Sequence, residues 1–147
     1  MSVNTIILNT GQQMIVNFDL SKIFIGENRY NKGDFTNSTY DPISMSAGTV
    51  LGRIAATGKL VPLASGAVDG SQYVVGILAE DVIVDDGETR TLFYCEYGDV
   101  VEAKLILDGT DTLDTIIEDR RIRDRIAGDT VGIRIRATDE MSGYDNQ

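Results

Sequence analysis

Between residues 48 and 107 the chain repeats short, β-branched apolar runs, each closed by a turn carrying glycine or aspartate, and no stretch holds the period of a core-facing helix. That pattern confines most of the fold to β-structure. Thr49-Val50-Leu51-Gly52-Arg53-Ile54 gives way at Thr57-Gly58-Lys59 to Leu60-Val61-Pro62-Leu63, a hairpin pattern in which the proline marks an edge or a strand end, having no amide to donate. After a polar loop over 64–72, the run Tyr73-Val74-Val75-Gly76-Ile77-Leu78-Ala79 reads as a buried strand, with Gly76 marking a bulge or a close backbone approach. Asp85-Asp86-Gly87-Glu88 lies between Val82-Ile83-Val84 and a strand over 90–97, a strong hairpin signal. Tyr97-Gly98-Asp99 predicts a further turn, and 100–107 a further strand.

Residues 113–126 change habit. Leu113, Ile116, Ile117, Ile122 and Ile126 recur at near-helical spacing among four acidic and four basic residues, with Thr112 placed to cap the helix and Gly128 to close it. Residues 129–136 alternate as a final strand, and 138–147 read as a flexible tail. Residues 1–47 differ again: six asparagines, with four acidic and three basic residues, separate the strand-like runs Ile6-Ile7-Leu8, Met14-Ile15-Val16 and Ile23-Phe24-Ile25. Two readings stand for this part, an arm with strand potential or the first strands of the same core. The first divides the chain into an arm (1–46), a core (47–137) and a tail (138–147). The expected fold class is mixed but mainly β (α+β): a small β-rich core, one principal helix near 113–126 and an extended N-terminal arm.

Composition removes most catalytic chemistry. The chain has no histidine, so neither imidazole acid/base catalysis nor a histidine-activated nucleophile is available. A single cysteine, Cys95, forms no intramolecular disulfide and no cysteine-cluster zinc site. With 23 acidic residues against 13 basic ones, the net charge of −10 argues against a phosphate-neutralising surface, and no nucleic-acid partner is expected. The apolar runs fall well short of a membrane span, and the N-terminus lacks the charged start and apolar stretch of a secretory signal. A soluble protein of cytoplasmic manufacture, with no membrane partner, is the expectation.

Four local patterns invite a chemical reading. Residues 52–59 have the glycines and closing lysine of a phosphate loop, but with one residue too many, Leu60 where a hydroxyl must reach magnesium, and a strand where a helix should follow. Glu80, Asp81, Asp85, Asp86 and Glu88 form the densest acidic cluster, yet no register supplies a calcium loop around Gly87, and a solvated hairpin tip fits better. Asp108, Asp111 and Asp114 around Gly109 suit a turn entering a helix, or at most a weak cation site. Arg120, Arg121, Arg123 and Arg125 are balanced by Asp114, Glu118, Asp119 and Asp124, a salt-laced face. Cys95, between Tyr94 and Glu96, reads as a buried small hydrophobe. No metal, cofactor or catalytic residue is expected.

The order and spacing of Gly48-Thr49-Val50-Leu51-Gly52-Arg53-Ile54, Thr57-Gly58-Lys59, Val68-Asp69-Gly70-Ser71-Gln72 and Val75-Gly76-Ile77-Leu78-Ala79-Glu80-Asp81-Val82 closely resemble the lambda-type head decoration proteins of tailed bacteriophages. The resemblance covers about residues 47–136, including Tyr97-Gly98-Asp99-Val100-Val101-Glu102, a helix before Gly128 and a closing strand from Val131 to Arg136. The Trp-Pro often found ahead of the family's helix is absent from the corresponding region, Asp108 to Thr112, and residues 1–47 lie outside the clear match.

The resemblance implies a β-dominated mixed fold and a homotrimer on the three-fold and quasi-three-fold positions of an expanded capsid. There it would bind the major capsid protein on the outer surface of the virion head and hold it against the pressure of packaged DNA. In the family a segment before the core orders on the capsid and pairs with its strands. That implies capsid contacts in this arm, with Phe18, Ile23, Phe24, Ile25, Tyr30, Phe35 and Tyr40 as the apolar candidates. The alternative is a β-rich exterior module that binds a host surface or glycan, with Tyr30, Phe35 and Tyr40 forming an exposed patch. An enzyme working through carboxylates alone, such as Asp81 or Asp86, is a third and weaker reading.

Overall fold

The computed structural model describes residues 4–6, 14–16 and 23–137. In chain order its elements are β1 (Asn4–Ile6), β2 (Met14–Val16), β3 (Phe24–Thr36), β4 (Ile43–Met45), β5 (Val50–Arg53), β6 (Leu60–Pro62), β7 (Val74–Leu78), β8 (Val82–Val84), β9 (Thr89–Val101), β10 (Ile116–Ile117), β11 (Arg120–Arg121), α1 (Ile122–Asp129) and β12 (Gly132–Arg136). A mainly β, mixed fold with a single α-helix among the described residues is the class the sequence implied.

β9 organises the main sheet because both its edges are paired. β3 runs antiparallel along one edge from Phe24↔Val100 to Thr36↔Thr89, with the register broken between Ile25 and Tyr30. The other edge is divided between β7, antiparallel at Ile77↔Cys95 and Leu78↔Tyr94, and β12, parallel from Gly132↔Tyr97 to Arg136↔Val101. β5 and β6 follow β7 outward. The sheet curls, so that β6 returns towards β3: Lys59 Nζ donates to Thr36 Oγ1 at 2.7 Å, and Leu60 Cδ1 lies 2.9 Å from where a Cβ on Gly33 would stand.

Because successive strand residues face opposite ways, the central strands feed two cores. Val50, Ile77, Cys95 and Val100 join Ile117, Ile122, Ile126 and Ile133 beneath α1 and β12. Leu51, Leu78, Leu92 and Tyr94 join Phe35, Met45, Leu60, Val82 and Val84 inside the curl. A strand covered on both faces needs apolar residues at consecutive positions, which is why 74–78 is nearly unbroken. Gly76 is there for clearance: a Cβ would collide with the carbonyl oxygen of Cys95 and the ring of Tyr94.

Several expectations are corrected. Residues 24–46 are not an arm outside the core; β3 makes the longest ladder among the described residues, β4 pairs with β8, and Ile25, Phe35 and Met45 are buried, so for this part the alternative reading of first core strands holds. The boundary expected at 46/47 therefore falls inside the fold. The helix expected over 113–126 begins only at Ile122 and runs past Gly128, because Glu118 and Asp119 adopt left-handed φ values of 46° and 70° and turn β10 back onto β11. Thr112 serves that irregular approach, not a helix cap: its Oγ1 accepts from Asp114 N–H, and its amide donates to Thr115 Oγ1.

Tyr97-Gly98-Asp99 is no turn either. β9 continues through it to Val101, with Gly98 at φ 130° beside the Asn28 side chain, and a short 3₁₀ turn (Glu102–Lys104) replaces the next strand. The Asp86-Gly87 turn forms, with Glu88 N–H donating to Asp85 O, but the strands it joins do not pair with each other. The buried Asn37 stands between them, its amide side chain on Val84 O and its backbone on Gly87 and Glu88, so β8 pairs with β4 while β9 pairs with β3. Phe18 and the tail (138–147) lie outside the described residues.

Candidate functional site

The six described arm candidates are scattered by the fold. Ile25 and Phe35 are buried in the two cores' sheet, so their side chains serve the fold and are not available to a partner. Phe24 is half-buried against the first core and meets Tyr30 edge-to-face at 5.8 Å. Ile23 is half-buried, accepts Val101 N–H on its carbonyl at 2.8 Å, and lines a recess of about 430 Å³ with Ser46, Asp81, Lys104 and Leu105. Tyr30 and Tyr40 are exposed, by 50% and 88%. Tyr40 is held out by its left-handed backbone (φ 72°) and by its amide donating to Asp86 Oδ1 at 3.0 Å. Tyr30, Phe35 and Tyr40 therefore form no common patch.

The exposed aromatic partner of Tyr30 is Phe93, which the sequence reading passed over. Cross-strand registers Tyr30↔Cys95 and Lys32↔Phe93 place Tyr30, Lys32 and Phe93 on one face of the β3–β9 ladder, where they and Asn31 line a shallow recess of about 400 Å³. Phe93 is half exposed. The period-2 alternation of Leu92 inward and Phe93 outward was the signal that could have found it. Burial and the neighbouring Cys95 push the Tyr30 hydroxyl's pKa above its ordinary value, so Tyr30 is a neutral contact group.

Four of the cluster's five carboxylates, those of Glu80, Asp81, Asp86 and Glu88, accept from the protein's own amides. Glu80 Oε2 accepts from Phe93 N–H at 2.9 Å and Asp81 Oδ1 from Ala47 N–H at 2.7 Å. Glu88, between the Asp85 amide and the Arg90 guanidinium, is held below the usual carboxylate range. Among the described residues no three histidine, cysteine, aspartate or glutamate side chains gather as a metal site. Asp111 accepts from Ser65 Oγ, and Asp114 pairs with Arg121 and Arg123. Cys95 is buried, its thiol pushed up by that burial, with Asn28 Nδ2 on its sulfur at 3.3 Å. Lys59, the lysine of the phosphate-loop lookalike, is committed to Thr36.

One carboxylate does anchor charge across the sheet. Asp99, nearly buried, accepts Arg134 Nε at 2.6 Å and Arg136 Nη2 at 3.1 Å, tying β12 to β9. Beside it Arg29 stacks over the Tyr97 ring at 4.9 Å. No helix among the described residues is long and apolar enough to cross a membrane.

A β-rich body whose cluster carboxylates bond its own amides, with Tyr30, Tyr40 and Phe93 exposed, offers surface for contact and gathers no catalytic group among the described residues. Residues 25–118 match the family model described as bacteriophage lambda head decoration protein D; the match spans more than half of the chain, and the chain belongs to that family. Membership carries a capsid-decoration role on the exterior of a phage head, in a family that is structural and not generally enzymatic. No curated protein matches this chain. The match begins at Ile25, well before residue 47, and so takes in β3; it ends at Glu118, in the turn before β11 and α1.

Proposed function

We propose that this protein is a capsid cement: a homotrimer on the three-fold and quasi-three-fold positions of an expanded tailed-phage head, made in the bacterial cytoplasm, which binds the major capsid protein and resists the pressure of packaged DNA. The observation that carries the reading is the family match over residues 25–118. The segment before Ile23, Phe18 included, supplies the capsid contacts, joined by Tyr30 and Tyr40, and it enters the core at the end of the β3–β9 ladder. Three such segments in a trimer raise binding by ~10²–10⁴ over one when geometry allows all three to engage.

The test is co-sedimentation with expanded heads lacking the protein, unexpanded heads serving as control, for the full chain and for one starting at Ile23, with the oligomer's mass read by light scattering. Binding of the full chain to expanded heads alone, its loss on truncation, and a trimeric mass support the proposal. Absence of binding by either chain, or a monomeric mass, overturns it.

The Tyr30–Phe93 recess favours a second reading, an exterior module for a host surface or glycan. On that reading Phe93→Ala removes host-cell binding and leaves head binding intact.

A further inference from the structure

The sequence has three Asp-Gly steps, at 69–70, 86–87 and 108–109, and at such a step the unhindered glycine amide nitrogen can attack the aspartate side-chain carboxyl. The structure treats the three differently. At Asp69-Gly70 the nucleophile is engaged, Gly70 N–H donating to Gln72 Oε1 at 2.8 Å, and the electrophile is held by the amide and hydroxyl of Ser71 at 3.0 and 2.6 Å. Those same bonds keep the Asp69 carboxyl below its ordinary pKa, so the protonated form that can lose hydroxide as water is scarce. At Asp86-Gly87 the glycine N–H donates to Asn37 O at 2.7 Å, and Asp86 Oδ1 is fixed on Tyr40 N–H.

Asp108-Gly109 has none of these restraints. Both residues are exposed, Gly109 N–H meets no acceptor and the Asp108 carboxylate no donor among the described residues, and no atom stands within 4 Å of the position a Cβ on Gly109 would take. The one bond at this step leaves the reacting atoms free: Asp108 O accepts from Asp111 N–H at 3.2 Å. We infer that Asp108 is a site of spontaneous isoaspartate formation in the folded protein, and that the fold protects Asp69 and Asp86 from the same reaction.

The step balances within the chain. Gly109 N bonds to Asp108 Cγ, its proton and the carboxyl hydroxyl leave as one water, and a five-membered succinimide results. Water then reopens the ring: attack at the former side-chain carbonyl restores aspartate, and attack at the main-chain carbonyl leaves the backbone running through Cβ, with no net change of mass. The extra main-chain methylene falls in the Asp108–Asp111 turn, whose neighbours are fixed on both sides. Ile106 exchanges backbone bonds with Gly48 and Val50, and Asp111 accepts from Ser65 Oγ.

The experiment incubates the full-length protein at neutral pH, folded and in urea, and measures isoaspartate with an isoaspartyl methyltransferase and a labelled methyl donor, locating it by peptide mapping with electron-transfer fragmentation. Folded protein should acquire isoaspartate at 108 while 69 and 86 remain aspartate, and urea should release all three. Asp108→Glu, which would have to close a less favourable six-membered ring, should lose the signal from the 108 peptide. Isomerisation of the folded chain at 69 or 86 as fast as at 108 overturns the inference, as does an Asp108 that reacts in urea but not in the folded chain.

Discussion

Arg125 shows how a single side chain makes an irregular segment stand. It is buried, and its guanidinium donates to the carbonyls of Ile117 at 2.8 Å and Glu118 at 3.2 Å, pairs with Asp129 at 3.4 Å and lies over the Tyr73 ring at 5.2 Å. The turn at Glu118-Asp119, left-handed at two non-glycine residues, is thereby pinned from below. Arg125→Ala leaves two carbonyls and a carboxylate without that partner and should cost about 3 kcal/mol in urea unfolding. Lysine cannot reproduce the planar fork and should rescue little of it. On the turn's outer side Tyr73 OH donates to Glu118 Oε2 at 2.6 Å, which lowers the Glu118 pKa and raises that of Tyr73.

A depressed carboxylate contributes stability that is present above its unfolded pKa and is lost as pH falls through the folded one. A raised phenol contributes stability that is present below its unfolded pKa and is lost as pH rises through the folded one. The melting-temperature gap between the natural chain and Tyr73→Phe should therefore hold level near neutrality and close at both acid and alkaline ends. A gap that persists in acid would exclude this bond as its source.

At the scale of elements, β3 decides where the folding unit begins. A chain starting at Ile23 should melt as cooperatively as the full chain. One starting at Ser46 loses β3 and β4, strips Phe35 and Met45 from the second core and uncovers one edge of β9, so its thermal transition should broaden or vanish. Local signals in the sequence placed the β5–β6 hairpin, the buried strand β7 and the last strand β12 well. What they could not report was partner choice. An Asp-Gly step shows that the chain turns, but whether the flanking strands pair depends on Asn37, distant in sequence until β3 brings it there. Ile116, Ile117, Ile122 and Ile126 fit a helical spacing equally well as a hairpin followed by a shorter helix, and neither Glu118 nor Asp119 announces a left-handed turn as glycine would. Two of the arm candidates show the same limit: Ile25 and Phe35 are apolar because a sheet buries them, and only pairing across the fold distinguishes that from a surface kept for a partner.

In the whole molecule the ladder of β3 and β9 has a mechanical meaning. Its hydrogen bonds lie across the strands, ten residue pairs deep, and the chain enters it at Ile23. A pull along β3 from that end loads the rungs in shear, together, whereas a pull at right angles would open them one after another. β9, gripped on its far edge by β7 and β12, passes the load into both cores at once. The strand by which the segment before Ile23 is fastened to the body is thus a lap joint, strongest against a pull along its own length.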